Sequence, residues 1–381
     1  MKVTLFTREY PPHVYGGAGV HVKFLARELA RLMDVDVRCF GEQSLDQTAL
    51  SVHGYGPWEA LKGAQKFSPA LETLSVNLLA QSRVIDADVV HSHTWYAHFA
   101  GLLAKILYQK PFVLTCHSLE PLRPWKEEQL GSGYALSAWV EKTCVEAADK
   151  VVAVSQEMKA DILKYFSIPE RRVEVIHNGI DLELWSKRPL SPALKTRWGI
   201  ADDYVLFLGR CTQQKGVEHL VDAAKDIPVQ VVMAMGGSDT KDYEERVARK
   251  IKGQKNIVHI PQMLSEDEAA QLYSGARAFI CPSIYEPFGI INLEAMACEA
   301  PVIASAVGGI VEIVVPGQTG VLIPPGDPEA VAAAVRHLLE HPKEAVAMGR
   351  AGRLRAEQRF SWASIAGRTR DLYAGLVRAK A

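Results

Sequence analysis

The 381-residue chain is 48% hydrophobic and 23% charged, more than one hydrophobic core usually organises, so two domains are expected. Its 43 Lys and Arg against 44 Asp and Glu leave a formal net charge of -1, which excludes a global basic field for nucleic acid or an anionic membrane; any anion must be held by a local site. No apolar run approaches the ~20 residues of a membrane span, and the strand-like opening MKVTLFT lacks the charged head and apolar core of a signal peptide, so a soluble cytoplasmic protein is expected.

Short β-branched runs alternate with helix-length amphipathic stretches, which predicts an α/β fold of parallel sheets covered on both faces. In chain order, a first series of strands is expected near 2–7, 35–40, 88–91, 111–115, 150–154 and 173–176. After the first of them, Val20, Phe24, Leu25, Leu29 and Leu32 recur at helical spacing and predict a helix over 19–32. The Pro-rich, polar stretch 181–203 reads as a linker. YVLFLGR then opens a second series, with further strands near 229–234, 256–260, 277–281, 301–304 and 320–323. Beyond 326 only helices are expected, and the last, FSWASIAGRTRDLYAGLVRA, has an apolar stripe with no strand left to cover, so it is expected to pack back on the first domain. The expected division is 1–185, 186–360 and a C-terminal helix 361–381. Two doubly wound sheets bind ligands at the carboxyl ends of their strands, which predicts an active-site cleft between the domains. The six cysteines are scattered without a C-x-x-C pair, so buried free thiols are expected rather than disulfides or a zinc site.

Four stretches carry candidate chemistry. In EYPPHVYGGAGVHV, Gly16, Gly17 and Gly19 follow the first strand and open the first helix, a turn that lets backbone N–H groups approach a phosphate; a purely structural turn reads the spacing equally well. In LFLGRCTQQKG, Arg210 and Lys215 flank a strand-to-helix junction and suit a diphosphate, or form a solvated basic pair. YEPFGIINLEA places Glu286 and Glu294 around a turn whose N–H groups, from Phe288 through Gly289 to Ile290, suit phosphate or hydroxyl oxygens, while each acid can accept from a sugar diol. Taken alone, Glu294 is as well explained by the helix dipole and Glu286 by exposure to water. In HSHTWY, His91 and His93 alternate along a strand, but no third ligand is placed with them, so no metal is expected. His117 ends the strand FVLTCH at the edge where such sheets present chemistry.

Together, TREYPPHVYGGAG, HSLEPLRPW, HNGID, the GR followed by Lys215, and EPFGIINLEA resemble the retaining GT-B glycosyltransferases of family 4, in particular the bacterial glycogen-synthase-like branch typical of actinobacteria that uses ADP-glucose. The resemblance runs in order from residue 3 to the last helix. It implies two Rossmann-like domains and no cofactor or metal. It also implies that Arg210 and Lys215 neutralise the donor diphosphate, that Glu286 with the amides of Phe288 and Gly289 holds the glucose, and that Glu294 takes the ribose. Gly17 would bring an amide to the diphosphate and His117 would bond the transferred sugar near its 6-hydroxyl. The implied acceptor is glucose 1-phosphate, giving α-maltose 1-phosphate, or an α-1,4-glucan. Arg123 and Lys126 in SLEPLRPWKEEQ are candidates for an acceptor phosphate, or a surface pair. Two other classes stay in view: a nicotinamide dehydrogenase, which expects G-x-G-x-x-G where this chain has G-G-x-G, and a catalytically silent sugar-nucleotide binder. The sequence leaves a homo-oligomer open.

Overall fold

The computed structural model describes residues 1–14, 16–238 and 240–380. They form two compact units, one of Met1–Gly179 with the C-terminal helix Trp362–Lys380, the other Ile180–Ser361.

The first unit is built on β1 (Lys2–Thr7), β2 (Asp34–Phe40), β3 (Ser44–Gln47), β4 (Leu50–Tyr55), β5 (Val89–His93), β6 (Phe112–Cys116), β7 (Lys150–Ala153) and β8 (Val173–Val175). The order is β3-β4-β2-β1-β5-β6-β7-β8, parallel throughout except for β3 against β4. Every residue of β5 and β6 is buried, as expected of strands covered by helices on both faces. The chain winds from β1 outward to β2 and then returns to the other side of β1 with β5, so the winding reverses between β1 and β5. The helix Trp362–Lys380 completes this unit: Trp362 stacks on Phe24 at 5.8 Å between ring centres, and the Tyr373 hydroxyl sits 2.5 Å from His91 Nδ1.

The second unit has β9 (Tyr204–Cys211), β10 (Gln230–Ser238), β11 (Ile257–Ile260), β12 (Phe279–Cys281), β13 (Val302–Ser305) and β14 (Gly320–Ile323), all parallel, in the order β11-β10-β9-β12-β13-β14. Its winding reverses between β9 and β12. Val205, Phe207, Val231, Met233, Ile280 and Ile303 have no exposed surface, and burial of each such side chain stabilises by ~1.5–3 kcal/mol.

The structure departs from the sequence expectations at three places. The strands β3 and β4 were not expected: SLDQ of β3 is wholly exposed at the sheet edge, and in LSVHGY of β4 only Val52 is fully buried, so neither carries an apolar alternation. The first helix runs over Gly17–Leu29 and then turns, leaving Leu32 44% exposed instead of on the buried stripe. The stretch 181–203 is not a linker but part of the second unit. Ile180 N donates to Phe360 O, Trp185 is buried beside the ring of Tyr273, and Arg353 donates to the Trp185 and Ala297 carbonyls. The unit boundary therefore falls at Gly179/Ile180, before position 185. All six cysteines are free and buried. Among the described residues, no helix is long and apolar enough to cross a membrane.

Candidate functional site

In the second unit the site lies where the winding reverses, at the carboxyl ends of β9 and β12, the position at which open parallel sheets bind ligands. Arg210 lies at the carboxyl end of β9, and Lys215 follows in a short 3-10 turn. Past β12, Glu286 lies in the loop that leads to the helix Ile290–Ala297. Ile284 N donates to Gln214 O, which ties the two loops together, and Lys215 Nζ reaches Glu286 Oε2 at 2.5 Å. Ser283 Oγ donates to the same oxygen. Both partners are sheltered, with the Glu286 side chain 8% and the Lys215 side chain 13% exposed, so Glu286 is not the water-facing acid it would be if it stood alone.

Two glycines make this junction. Gly216, at φ 63, would place a Cβ 1.9 Å from the Pro282 carbonyl oxygen, so a larger residue would push the Lys215 turn off the β12 loop. Gly289, at φ 99, caps the helix, and its carbonyl accepts from Asn292 N in the first turn. Glu294 lies one turn further, 7% exposed, and accepts from Tyr273 Oη at 3.2 Å. Burial pushes its carboxyl up to about 7, against a smaller downward pull from Tyr273 and Lys215. A sheltered ion pair, a helix start and a buried acceptor thus lie in one row, a set suited to phosphate and hydroxyl groups together.

The first unit gathers a second set at the ends of β1, β5 and β6. Arg123 and Lys126, expected as a loop pair, are 9% and 5% exposed; Lys126 opens the short helix Lys126–Leu130 rather than lying in a loop. Lys126 Nζ donates to Tyr96 Oη at 2.9 Å, and the Arg8 guanidinium lies over the Tyr96 ring at 4.1 Å. Arg123 donates to Ser118 Oγ and stands 3.8 Å from the buried Glu120, while its Nε is buried without a partner among the described residues. Burial pushes the Tyr96 phenol up, but Lys126, Arg8 and Arg123 outweigh it and hold it below its ordinary value. That balance marks a strongly positive, water-poor spot. Thr94 caps the helix Trp95–Tyr108 that carries Tyr96 at φ 62, a conformation costing on the order of 1–3 kcal/mol in a non-glycine residue.

His117 follows β6 directly, and its Nε2 lies 3.1 Å from His93 Nδ1. The expectation that no third ligand accompanies the strand histidines is corrected here: His21, on the first helix, and His117 both stand beside His93. His91 instead bonds Tyr373 and Thr115 and is a core histidine. Burial holds His91, His93 and His117 well below the ordinary imidazole range, so they are neutral at pH 7. Gly17 starts the first helix, and the neighbouring Gly16 N donates to Glu9 Oε2 at 2.8 Å. Sequence reasoning missed Arg8, Tyr96, His21, Ser283 and Tyr273. Each is an ordinary residue in its own segment, and only the sheet order brings it to a site.

Residues 15–184 match the family model Glycosyltransferase Family 4, and residues 195–355 match Glycosyl transferases group 1. The chain is 45% identical over 390 residues to an alpha-maltose-1-phosphate synthase of Mycolicibacterium smegmatis, covering 98% of this chain and 99% of that protein. It is 32% identical over 410 residues to a glycogen synthase of Mycobacterium tuberculosis, covering 99% and 95%. Among solved structures, sucrose-phosphate synthase from Thermosynechococcus elongatus superposes with a TM-score of 0.81 at 26% identity, covering 99% of both chains. With its two Rossmann-like units and this near full-length identity, the chain belongs to the GT-B glycosyltransferases of family 4, in the branch that includes the α-maltose-1-phosphate and glycogen synthases.

Proposed function

We propose that the chain is a retaining glucosyltransferase that moves glucose from ADP-glucose to glucose 1-phosphate, giving α-maltose 1-phosphate and ADP. The observation that carries the choice of acceptor is Lys126: it is 5% exposed, its ammonium donates to the Tyr96 hydroxyl and lies over that ring, and although its charge also acts on the buried Glu141 it forms no direct ion pair among the described residues. Burying an ammonium without a direct ion-pair partner is costly, and a phosphate monoester supplies that contact. A neutral glucan would leave that cost in place. The relatives at 45% identity support the same acceptor.

In this reading the acceptor hydroxyl attacks the anomeric carbon from the face the diphosphate leaves, the bond from that carbon to the diphosphate oxygen breaks, and a phosphate oxygen takes the hydroxyl proton. The configuration is thereby retained. Arg210 and Lys215 stabilise the growing charge on the diphosphate, and Glu286 with the amides of Phe288 and Gly289 holds the glucose. His117 bonds the hexose, the Gly17 amide serves the diphosphate, and Arg123 and Lys126 hold the acceptor phosphate. The chemistry needs no metal, so activity is expected to persist in excess EDTA; loss with rescue by a divalent ion contradicts this. Incubation with ADP-glucose and either glucose 1-phosphate or glycogen, followed by identification of the product, tests the reading. Growth of glycogen alone would assign the chain to glucan extension instead.

Glu294, as the ribose acceptor, makes a separate prediction. Its carboxyl titrates near 7 in the fold and near 4.5 when unfolded, so between these values the folded state holds a proton the unfolded chain has lost. The charge therefore destabilises the free protein progressively as pH rises from 4.5 through 7, and the full cost stands above 7. Glu294→Gln is expected to stabilise the free protein at pH 8 by on the order of 3 kcal/mol, from a shift worth about 1.4 kcal/mol per unit, while weakening ADP binding. Thermal unfolding and ADP titration at pH 8 check both halves. A lower Tm with unchanged ADP affinity would sink the assignment.

A further inference from the structure

The histidines around His117 form a group that the transfer reaction does not use as a whole. The ring centres of His21, His93 and His117 are 5.3, 4.7 and 5.4 Å apart pairwise, and one nitrogen from each lies within 4.8 Å of the other two. Three imidazoles bound tetrahedrally at about 2.0–2.1 Å have ring centres about 5 Å apart and ligating nitrogens about 3.3 Å apart. The 3.1 Å between His93 Nδ1 and His117 Nε2 already matches that edge; in the free protein a proton bridges it.

Two further observations point to a ligand. His21 and His93 are 2% and 0% exposed, and the Nε2 atom of each is buried with no hydrogen-bond partner among the described residues. Buried imidazole nitrogens are ordinarily satisfied, so the His21 orphan, on a ring beside both His93 and His117, needs an explanation; the His93 orphan lies across its ring from the Nδ1 that meets His117 and does not face the same ion. In addition, His21 Nδ1 lies 2.7 Å from Asn178 Oδ1. A carbonyl oxygen only accepts, so Nδ1 carries the proton and Nε2 presents its lone pair, which is how outer-shell partners prepare a histidine ligand. The supporting elements are rigid: His93 ends β5, His117 follows β6, and His21 sits on the helix Gly17–Leu29. His117 is the partly exposed member and gives an ion its way in.

We propose that His21, His93 and His117 form a three-imidazole site for one borderline transition-metal dication, of the zinc or cobalt kind, with water in the fourth position. All-nitrogen ligation favours such ions over magnesium or calcium. Because the proposed function places His117 on the transferred sugar, an ion held there excludes the sugar; that consequence, unlike the binding itself, rests on the proposed function.

The test uses full-length protein carrying His337→Ala and His341→Ala, which removes the exposed His337, His341 and Glu344 group of the second unit as a competing site. The metal-stripped protein is titrated with cobalt, and with zinc in competition with a chromophoric chelator. One ion per chain with the strong visible bands of tetrahedral cobalt is expected. His117→Ala and His21→Gln are each expected to weaken zinc binding at least tenfold. Absence of stoichiometric binding, or binding unchanged in His117→Ala, overturns the site. Should His21→Gln fail to fold, the partly exposed His117→Ala decides alone. In a parallel assay zinc is expected to inhibit glucosyl transfer and EDTA to restore it. Binding without inhibition sustains the metal site and removes His117 from the sugar, which separates this inference from the proposed function.

Discussion

Alanine in place of Lys215 or Arg210 is expected to lower turnover about a hundredfold or more, equivalent to ~3 kcal/mol for one oriented charge stabiliser, while nucleoside affinity falls far less. In the proposed transfer each cation opposes the additional negative charge that appears on the diphosphate as its bond to the sugar breaks, so its interaction is strongest in the transition state. Lys215 carries a second consequence. Its Nζ lies 2.5 Å from Glu286 Oε2, and both side chains are largely buried. Removing the lysine leaves the Glu286 carboxylate with Ser283 as its remaining side-chain hydrogen-bond donor among the described residues, an uncompensated buried charge. Lys215→Ala is therefore expected to lose thermal stability as well as turnover, whereas Lys215→Met with Glu286→Gln, which removes both charges, is expected to regain stability but not activity. Steady-state kinetics, ADP titration and thermal unfolding of the variants separate these effects. Wild-type turnover in both alanine variants would remove the diphosphate role.

The pairing of Lys215 with Glu286 also shows where sequence reasoning reaches and where it stops. Each residue was legible as a candidate from its own segment, since a cation at a strand-to-helix junction and an acid before a glycine turn have local signatures. Their partnership was not, because they are 71 positions apart and meet only because β9 and β12 are neighbours at the reversal of winding. The same limit explains Arg8, Tyr96 and Lys126, which follow three different strands, and His21, which in sequence is one polar position on an amphipathic helix. Buried parallel strands such as β6 were legible because their residues are mainly apolar on both faces. The edge strand β3 and its neighbour β4 were not, because exposure on one face or both erases the pattern. The stretch 181–203 was misread for a related reason: its prolines and charges look like a linker, and the buried residues that dock it, Trp185, Leu194 and Ile200, are scattered among them.

The acceptor prediction follows from how Lys126 is held. If Lys126 and Arg123 bind the phosphate of glucose 1-phosphate, Lys126→Ala and Arg123→Ala are each expected to raise its KM by tenfold to a hundredfold, the ~1.5–3 kcal/mol of a hydrogen bond to a charged group in a water-poor site. The KM for ADP-glucose is expected to change little, since neither residue belongs to the second unit's donor set. Arg8 lies over the ring whose hydroxyl Lys126 engages, so Arg8→Ala is expected to act in the same direction but more weakly. A structural role for Lys126 would give the opposite pattern in stability. As a buried ammonium without a direct ion pair among the described residues, offset only by the more distant Glu141, it costs the free protein energy, and Lys126→Met should raise the Tm; a salt-bridging structural lysine would lower it when removed. Added salt should weaken glucose 1-phosphate and leave a neutral maltooligosaccharide unaffected, because only the former depends on charge. If the Arg123 and Lys126 double variant keeps wild-type glucose 1-phosphate kinetics, the cation cluster serves another anion, and a glucan becomes the acceptor that the remaining site residues favour.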